Sequence, residues 1–475
     1  MKTFFPTLLV LLFAFVGCSR QEVPRTEPQG TAISNVTVID AVNGVRENQT
    51  VVFHGDAIIS VKSADAEPPT VAETIDGSGK YLIPGLWDMH VHLTYDDTLT
   101  DAMPALFLAY GVTSVRDTGA LMHKITPVVE KMRAPGAVAP RVYFSGPLLD
   151  GRFVVYDGDS RPEIGVQNAT RDMAEARVAE LKAGGVDFIK IYEMVSPDVF
   201  EALTEAGRAN DLPIAAHVPL SMVASRAGPA VDSMEHLRNV ELDCASNSAE
   251  LFEERLSILA GHEEGPGFEL RSRLHALQRL PAIANYDEER CERTIASLTS
   301  TIQVPTLRLN TFSARPVYER ADWDAALDTV PEAANAEWRR ATADWRNRES
   351  APAVDTTFAD WSIEMVGRMH AQGVPIGAGT DTPIGRALPG YSLHTELERL
   401  VDAGLSPLEA IEAATMRPAE FLRLSGEMGT VSPGKRADLV MLDANPLDDI
   451  SNTRRIAAVV AAGRYFSADD LAGLL

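Results

Sequence analysis

The middle of the sequence alternates short apolar segments of strand type with helical patterns, and this alternation constrains the fold most strongly. Eight strand candidates lie at 86–92, 113–117, 141–145, 188–192, 213–217, 233–236, 303–306 and 375–379. Apolar residues with helical spacing lie between several of them, as in 171–183 and 405–424. Strands that alternate with helices indicate βα units around a parallel sheet. Eight units predict an α/β protein whose residues 82–424 form a (β/α)8 barrel, the TIM barrel.

The two ends of the sequence show short strand candidates and turns instead. Residues 31–81 contain apolar stretches on either side of an Asn43-Gly44 turn, and residues 425–475 contain further stretches after Pro433-Gly434. We therefore expect two β-rich segments, 31–81 and 425–475, that flank the barrel.

Two long insertions interrupt the barrel pattern. Residues 238–286 (the first insertion) follow strand six, and residues 308–357 (the second insertion) follow strand seven. Each is much longer than the usual connection of about 2–6 residues. Both follow the carboxyl end of a strand, which is the active-site face of a barrel, so we expect them to form a lid over the pocket.

The first 30 residues have the pattern of an export signal rather than of a folded segment. Lys2 precedes an apolar run at 4–16, which is shorter than the roughly 20 residues of a membrane-spanning helix. The run ends in Phe-Val-Gly-Cys at 15–18, which resembles a bacterial lipobox. The sequence thus predicts a signal peptide at 1–17, lipidation of Cys18 and a polar tether at 18–30. Ser19 favours an outer-membrane lipoprotein on the periplasmic side of a bacterial envelope; the alternative is an ordinary secreted signal.

The charge and the cysteine content exclude two classes of protein. The chain has 43 Lys and Arg against 67 Asp and Glu, a formal net charge of −24. Such a surface repels phosphate backbones, so no nucleic-acid partner is expected. Its three cysteines cannot form a disulfide framework, although Cys244 and Cys291 remain free to pair.

The most specific motif is His90-Val91-His92 at the end of the first barrel strand. Residues two apart on a strand point to the same side, so both imidazoles are expected to converge. Two convergent neutral imidazoles are a natural beginning of a zinc site. The alternative is a chance pair of structural histidines.

Four further polar residues occupy the same relative position on other strands. Lys190 lies at the end of strand four, His217 of strand five and His236 of strand six, and Asp381 follows strand eight. Catalytic groups of a TIM barrel converge at these carboxyl ends. The sequence therefore predicts that all six side chains surround one site.

Two segments resemble the amidohydrolase superfamily. The sequence Pro-Gly-Leu-Trp-Asp-Met-His-Val-His at 84–92 resembles its opening motif, and Gly-Lys-Arg-Ala-Asp-Leu-Val at 434–440 resembles a part of its small β-sandwich. Phe-Ile-Lys-Ile-Tyr at 188–192, with the later Ala-His and Glu-His pairs, resembles the imidazolonepropionase-related, prolidase-like branch. The resemblance implies a composite β-sandwich built from both chain ends.

The resemblance also implies a cofactor, namely two divalent metal ions, of which zinc is the expected one. The bridging group would be a carbamate that CO2 forms on Lys190. The implied ligands are His90, His92 and Asp381 for one ion, His217 and His236 for the other, and Lys190 between them. The alternatives are a mononuclear, deaminase-like site and a buried Lys190 that is paired with Glu193 or Asp381.

This site implies a metal-dependent hydrolase that cleaves a C–N amide bond in a dipeptide or an N-acyl amino acid. A hydroxide that bridges the metals would attack the carbonyl, and Asp381 would carry the proton to the leaving nitrogen. A lactonase or phosphotriesterase could use the same metals, because the barrel does not select the bond. A non-catalytic envelope binding protein is the remaining alternative.

Two residues are predicted to bind the substrate. Tyr192 shares a strand face with Lys190, and Arg308 follows strand seven, where it could pair with a substrate carboxylate. We interpret Arg116 and Asp117, at the end of strand two, as a structural pair. The expected partners are a small amide or peptide substrate and, through the lipid anchor alone, a membrane; a homo-oligomer stays open.

Overall fold

A computed structural model describes residues 29–159, 161–347 and 355–475, together with Met1. The predicted signal peptide, Cys18 and nearly all of the tether lie outside the described residues, as does a short part of the second insertion.

The strands fall into two groups, one at the chain ends and one in the barrel. The strands of the chain ends are β1 (Thr31–Asp40), β2 (Gly44–His54), β3 (Ala57–Ser63), β4 (Glu73–Asp76), β5 (Tyr81–Pro84), β15 (Leu439–Leu442), β16 (Ile456–Ala461) and β17 (Arg464–Ser467). Those of the barrel region are β6 (Leu86–Val91), β7 (Val112–Asp117), β8 (Arg141–Phe144), β9 (Leu148–Asp150), β10 (Gly165–Gln167), β11 (Ile189–Ile191), β12 (Ile214–Ala216), β13 (Ser233–Glu235) and β14 (Ile302–Val304).

Helices connect the barrel strands and fill the insertions. They are α1 (Met103–Ala109), α2 (Met122–Arg133), α3 (Arg171–Ala183), α4 (Pro197–Ala209), α5 (Ala224–Ala227), α6 (Val240–Asp243), α7 (Ser248–Ala260), α8 (Gly267–Ala284), α9 (Glu288–Ala296), α10 (Leu307–Asn310), α11 (Trp323–Leu327), α12 (Glu332–Arg346), α13 (Thr357–Ala371), α14 (Tyr391–Asp402), α15 (Pro407–Ala413), α16 (Met416–Phe421) and α17 (Ala468–Ala472). Short 3-10 helices lie at Gly228–Ala230, Val317–Glu319 and Ile450–Arg454. Among the described residues, no helix combines the length and the apolar character of a membrane span.

The barrel strands form two parallel sheets that one connecting segment joins. Strands β6, β7 and β8 form the first sheet, and β10, β9, β11, β12, β13 and β14 form the second in that order. Residues 375–382 run between β14 and β6, with parallel bridges from Gln303 to Ile376 and from Val91 to Thr382. The predicted TIM barrel is therefore confirmed.

Strands three and eight differ from the expected regular strands. Strand three is interrupted after Phe144, so that β8 pairs with strand two whereas β9 pairs with strand four. Segment 375–379 makes backbone hydrogen bonds to both neighbours but forms only isolated bridges. It lies very close to strand one, since a Cβ atom on Gly379 would lie 2.8 Å from the Cβ of His90. Glycine there permits an approach that side chains would prevent.

Both chain ends contribute to one eight-stranded sheet. Its order is β17-β16-β15-β5-β1-β2-β3, and β4 pairs with β1. Strand β5 lies at the junction, because it is parallel to β1 and antiparallel to β15. Ile33, Val51, Phe53, Leu439 and Val460 are buried in a common core of this sheet. The composite β-sandwich implied by the resemblance thus joins residues that are about 400 positions apart.

The first insertion contains a helical pair that is fastened at its base. Cys244 and Cys291 form a disulfide, which answers the question of their pairing. Beside it, Ser246 N donates to Asn285 O at 2.8 Å, and Asp287 N donates to Cys244 O at 2.9 Å. Helices α7 and α8 extend from this base, and we call them the strap.

Replacing both Cys244 and Cys291 with alanine should lower the free energy of unfolding by about 4 kcal/mol, because the disulfide closes a loop of 47 residues in the unfolded chain. Urea unfolding of the oxidised protein and of the double variant measures the difference. Reduced wild-type protein is the control and should unfold like the variant. Two titratable thiols in oxidised, denatured Cys18→Ala protein would contradict the pairing.

Candidate metal centre

The six residues predicted at the strand ends surround one cavity of about 210 Å³. Every one of them is buried and lines this cavity: His90, His92, Lys190, His217, His236 and Asp381. The parallel arrangement explains the convergence, because the carboxyl ends of all the strands meet at one mouth of the barrel.

Asp381 lies against the histidines of the first strand. Its Oδ1 atom is 3.2 Å from His90 Nε2 and 3.3 Å from His92 Nε2. His236 completes a group with His90 and Asp381 in which the possible ligand atoms lie within 4.8 Å of one another. Burial opposes ionisation of Asp381, but His236, His90 and His92 hold the pKa of this carboxyl well below its usual range.

His217 and His236 form a second pair on the next two strands. Their ring centroids are 4.8 Å apart, and the His90 ring is 4.6 Å from that of His236. Burial and the nearby Lys190 lower the pKa of His217 to about 3. The imidazole is therefore neutral near pH 7, which is the form that binds metal ions.

All four imidazoles are oriented through their Nδ1 atoms. The partners are Glu235 Oε2 for His90 at 2.7 Å, Gly119 O for His92 at 3.1 Å, Glu193 Oε1 for His217 at 2.7 Å and Thr306 Oγ1 for His236 at 2.6 Å. An Nδ1–H group that donates to such an oxygen leaves the lone pair on Nε2, and this arrangement is typical of metal-binding histidines.

Lys190 is a buried amine with an unusual environment. Its Nζ atom lies 3.6 Å from Glu235 Oε1 and has no hydrogen-bond partner within the part of the chain that the structure describes. Burial lowers the pKa of Lys190 to about 8. The nearest acid is therefore Glu235, not Glu193 or Asp381. The described residues thus leave this buried nitrogen without a partner, and the four imidazoles and the carboxylate beside it are ligands that suit divalent ions such as zinc.

Sequence reasoning missed Glu235, which lies next to three side chains of the site, namely Arg116, His90 and Lys190. Its Oε1 atom accepts a hydrogen bond from Arg116 Nη2 at 2.7 Å, while Oε2 contacts His90. The interpretation of Arg116 and Asp117 as a pair is wrong, because Asp117 instead accepts from Leu93 N at 2.6 Å. The Glu-His pair at 235–236 was visible in the sequence, but only its histidine was assigned.

Sequence reasoning also missed that Glu193 orients a histidine. This residue contacts three basic side chains. Its carboxylate accepts from His217 Nδ1, from Arg271 at 2.9 and 3.0 Å and from His275 Nε2 at 2.6 Å. Burial opposes its ionisation, yet Arg271 and His275 hold the pKa of Glu193 well below its usual range. Arg271 and His275 are four residues apart on α8, a spacing that places them on one helix face.

The two residues predicted to bind substrate have different positions. Tyr192 lines the cavity, with its ring centroid 4.4 Å from that of His217. The guanidinium of Arg308 instead donates to three carbonyl oxygens of the loop around Asp381, at Thr380, Ile384 and Gly385. These bonds occupy the group that the substrate role would require.

Other cations and aromatic rings form the wall of the cavity. Arg161, Arg238 and Arg271 line it, and the Nε atom of Arg238 has no hydrogen-bond partner in the described parts of the chain. The aromatic residues that line it are Tyr95, Tyr156, Tyr192 and Phe268. The first insertion provides Arg238, Phe268 and Arg271. The second provides Leu309 among the described lining residues.

Comparisons with known proteins agree with this architecture. The profile of the amidohydrolase family matches residues 359–465. The imidazolonepropionase of Streptomyces griseus is 23% identical over 84% of this chain and 87% of its own length. The dihydroorotase of Syntrophotalea carbinolica is 25% identical over 86% of this chain and 88% of its own.

Solved structures show the same fold over most of the chain. A Xaa-Pro dipeptidase with bound methionine in its active site has a TM-score of 0.65 and 19% identity, covering 92% of this chain and all of its own. The bottromycin amidohydrolase has a TM-score of 0.70 and 23% identity, covering 94% of this chain and 89% of its own. The solved structures show that the chain shares their fold, and the family model and the two relatives support a metal-dependent hydrolase of the amidohydrolase superfamily.

Proposed function

We propose that the protein hydrolyses the C–N amide bond of a dipeptide or an N-acyl amino acid at a centre that holds two divalent ions. Zinc is the expected metal. The observation that carries this proposal is the pairing of two features in one cavity. Four oriented imidazoles, Lys190 and Asp381 line it together with three arginines and three tyrosines.

The division of the residues between the two ions follows the family resemblance, and His236 lies close to both sets. Asp381 would hold one ion with His90 and His92, whose Nε2 atoms it faces. His217 and His236 would hold the other, and Lys190 would bridge them after its neutral amine adds CO2 and releases a proton. The resulting carbamate is an anion with two oxygen atoms, which the lone Nζ atom could not replace. When bound, the two ions would polarise the substrate carbonyl and lower the pKa of a water molecule.

Asp381 would move the proton. Its Oδ1 atom faces His90 and His92, so we assign Oδ2 as the atom that accepts a proton from water and delivers it to the leaving nitrogen. The histidines favour the ionised carboxylate, which is the form that a base requires.

Arg238 and Tyr192 would hold the carboxylate of the substrate, in place of the predicted Arg308. Arg271 is already paired with Glu193 at 2.9 Å, whereas Arg238 is 4.0 Å from the same carboxylate. A guanidinium with free donors on a cavity wall is suited to a carboxylate. The Xaa-Pro dipeptidase of the same fold has methionine in its active site, which is a free amino acid of the kind this reaction would release.

A panel of dipeptides, N-acyl amino acids, lactones and aryl phosphotriesters tests the reaction class. Turnover of the first two groups is expected. Efficient turnover of the lactones or phosphotriesters alone would show that the enzyme is a lactonase or phosphotriesterase that uses the same metal centre. A metal-free protein that turns over none of these substrates would favour the non-catalytic binding protein.

Lys190→Ala should abolish activity and lower the metal content by one or two ions per chain, because the bridge between the ions is lost. Metal analysis of the purified protein should find about two divalent ions per chain in the wild type. Short carboxylic acids should restore part of the activity of the variant, since they can replace the carbamate. Lys182→Ala, at an exposed position of α3, is the matched control. Full activity of Lys190→Ala, or less than one ion in metal-supplemented wild type, would contradict the centre.

Arg238→Gln should raise KM about 10- to 100-fold for substrates with a free carboxylate, because a hydrogen bond to a charged group contributes about 1.5–3 kcal/mol. The kcat value should change much less if this binding is uniform along the reaction. Steady-state kinetics with a substrate and its carboxamide analogue make the comparison. An equal KM increase for both would argue against carboxylate recognition.

We further propose that the protein is anchored to the outer membrane of a bacterium, with the enzyme on the periplasmic side. The lipobox-like sequence that ends at Cys18 supports this location. Cys18→Ser should move the protein from the membrane fraction to the soluble periplasmic fraction, because the acceptor of the lipid is removed. Cell fractionation measures the change. A matured Cys18→Ser protein that stays wholly with the membranes would show that lipid is not the anchor.

A further inference from the structure

The strap contacts a buried carboxylate, Glu193, beside the candidate metal centre. Helix α8 of the strap places Arg271 and His275 on Glu193, which lies three residues after Lys190. The base of the strap is fixed elsewhere, at the disulfide between Cys244 and Cys291. Glu193 is therefore a buried charged contact between this peripheral element and the barrel interior.

The two oxygens of Glu193 have different partners. Oε1 accepts from His217 Nδ1 at 2.7 Å and from Arg271 Nη2 at 2.9 Å. Oε2 contacts His275 Nε2 at 2.6 Å. The side chain of Glu193 is completely buried, so the strap provides compensation for a charge that water cannot reach.

This geometry links the position of the strap to the orientation of His217. The hydrogen bond from His217 Nδ1 to Oε1 keeps Nε2 unprotonated and turned towards the cavity. If α8 moved away, Glu193 would lose the cation and the imidazole that hold it, and the His217 ring would lose its fixed acceptor. The same displacement would remove Phe268 and Arg271 from the cavity wall.

We propose that Glu193 is a positioning residue that couples docking of the strap to metal binding at His217, and that His275 is the strap residue that completes this coupling. The inference rests on the proposed role of His217 as a ligand. Coupling between two sites is reciprocal, so a metal ion at His217 must also stabilise the docked strap. The strap is thereby a part of the metal centre as well as a wall of the substrate pocket.

Two measurements on the full-length protein test the coupling. Competition for Zn²⁺ with a chromophoric chelator gives the affinity of each ion, and hydrogen exchange of the amides in 267–284 reports the docking of α8. In the wild type, loading with Zn²⁺ should slow exchange in α8. In His275→Ala, one of the two ions should bind about 10- to 100-fold more weakly, as is typical when the partner of a ligand is lost, and the effect of Zn²⁺ on α8 should disappear.

His275→Gln and His394→Gln are the comparison variants. Glutamine at 275 can still donate to Glu193 Oε2 and should restore a part of the affinity. His394 is also buried but contacts Thr453 Oγ1 at 2.9 Å and Tyr110 O at 3.0 Å, so its loss should leave both ions in place. The visible spectrum of the Co²⁺-loaded protein should change in His275→Ala and not in His394→Gln.

The outcomes separate the two proposals. Wild-type protein without tight zinc sites would overturn the proposed function. Wild-type protein with two ions, together with a His275→Ala variant that binds both equally well, would overturn the coupling alone. A His275→Ala variant with weakened zinc binding but unchanged, zinc-dependent exchange in α8 would also overturn it, because His275 would then act without the strap.

Discussion

The hydrogen bonds at the Nδ1 atoms of the four cavity histidines are the interactions on which the rest of the site depends. A backbone carbonyl, two carboxylates and a hydroxyl oxygen hold the rings. Each bond fixes both the orientation of the ring and the nitrogen that carries the lone pair. Gly119, Glu193 and Thr306 lie beside the strand next to that of the ring they hold, whereas Glu235 lies on β13, which is not adjacent to the strand of His90. The four Nε2 atoms are therefore organised only when the barrel has closed.

The two carboxylates among these acceptors obtain their charge compensation from different directions. Glu235 is paired with Arg116, which lies on strand β7 inside the barrel. Glu193 is paired with Arg271, which lies on the strap. A carboxylate in such a position must have a cation, since desolvation of an unpaired ion costs several kcal/mol. The barrel thus organises the His90 side by itself, whereas the His217 side needs a peripheral helix.

The alternation of strands and helices was sufficient to predict six of the residues that line the cavity, because parallel strands place their carboxyl ends at one edge. The same rule fails for Glu235, which directly precedes His236. Neighbours on a strand point to opposite faces, so only one of them is expected at the site. His236 has a φ angle of 63°, which ends the regular strand and allows both side chains to contribute. A local departure from strand geometry cannot be read from periodicity.

Sequence periodicity also cannot predict the contacts that the insertions make, for a different reason. His275 lies 82 residues after Glu193, and nothing in the pattern of its helix specifies where that helix docks. The lid role was predicted for both insertions from their place after strands six and seven. Among the described lining residues, the first provides three and the second provides Leu309. The order of the strands indicates where an insertion lies around the mouth of the barrel. It does not indicate how far that insertion reaches into the cavity.

The position of Arg308 follows from the weak pairing of the eighth segment. This segment has few backbone bonds to its neighbours, yet it carries Asp381, one of the side chains of the candidate metal centre. Asp88 on strand one binds Thr380 at 2.6 Å, and Arg308 binds three carbonyls on either side of Asp381. An arginine beside the active site therefore substitutes for missing strand pairing. The guanidinium of Arg308 is thereby committed to this loop, and the other cations of the cavity wall are Arg161, Arg238 and Arg271.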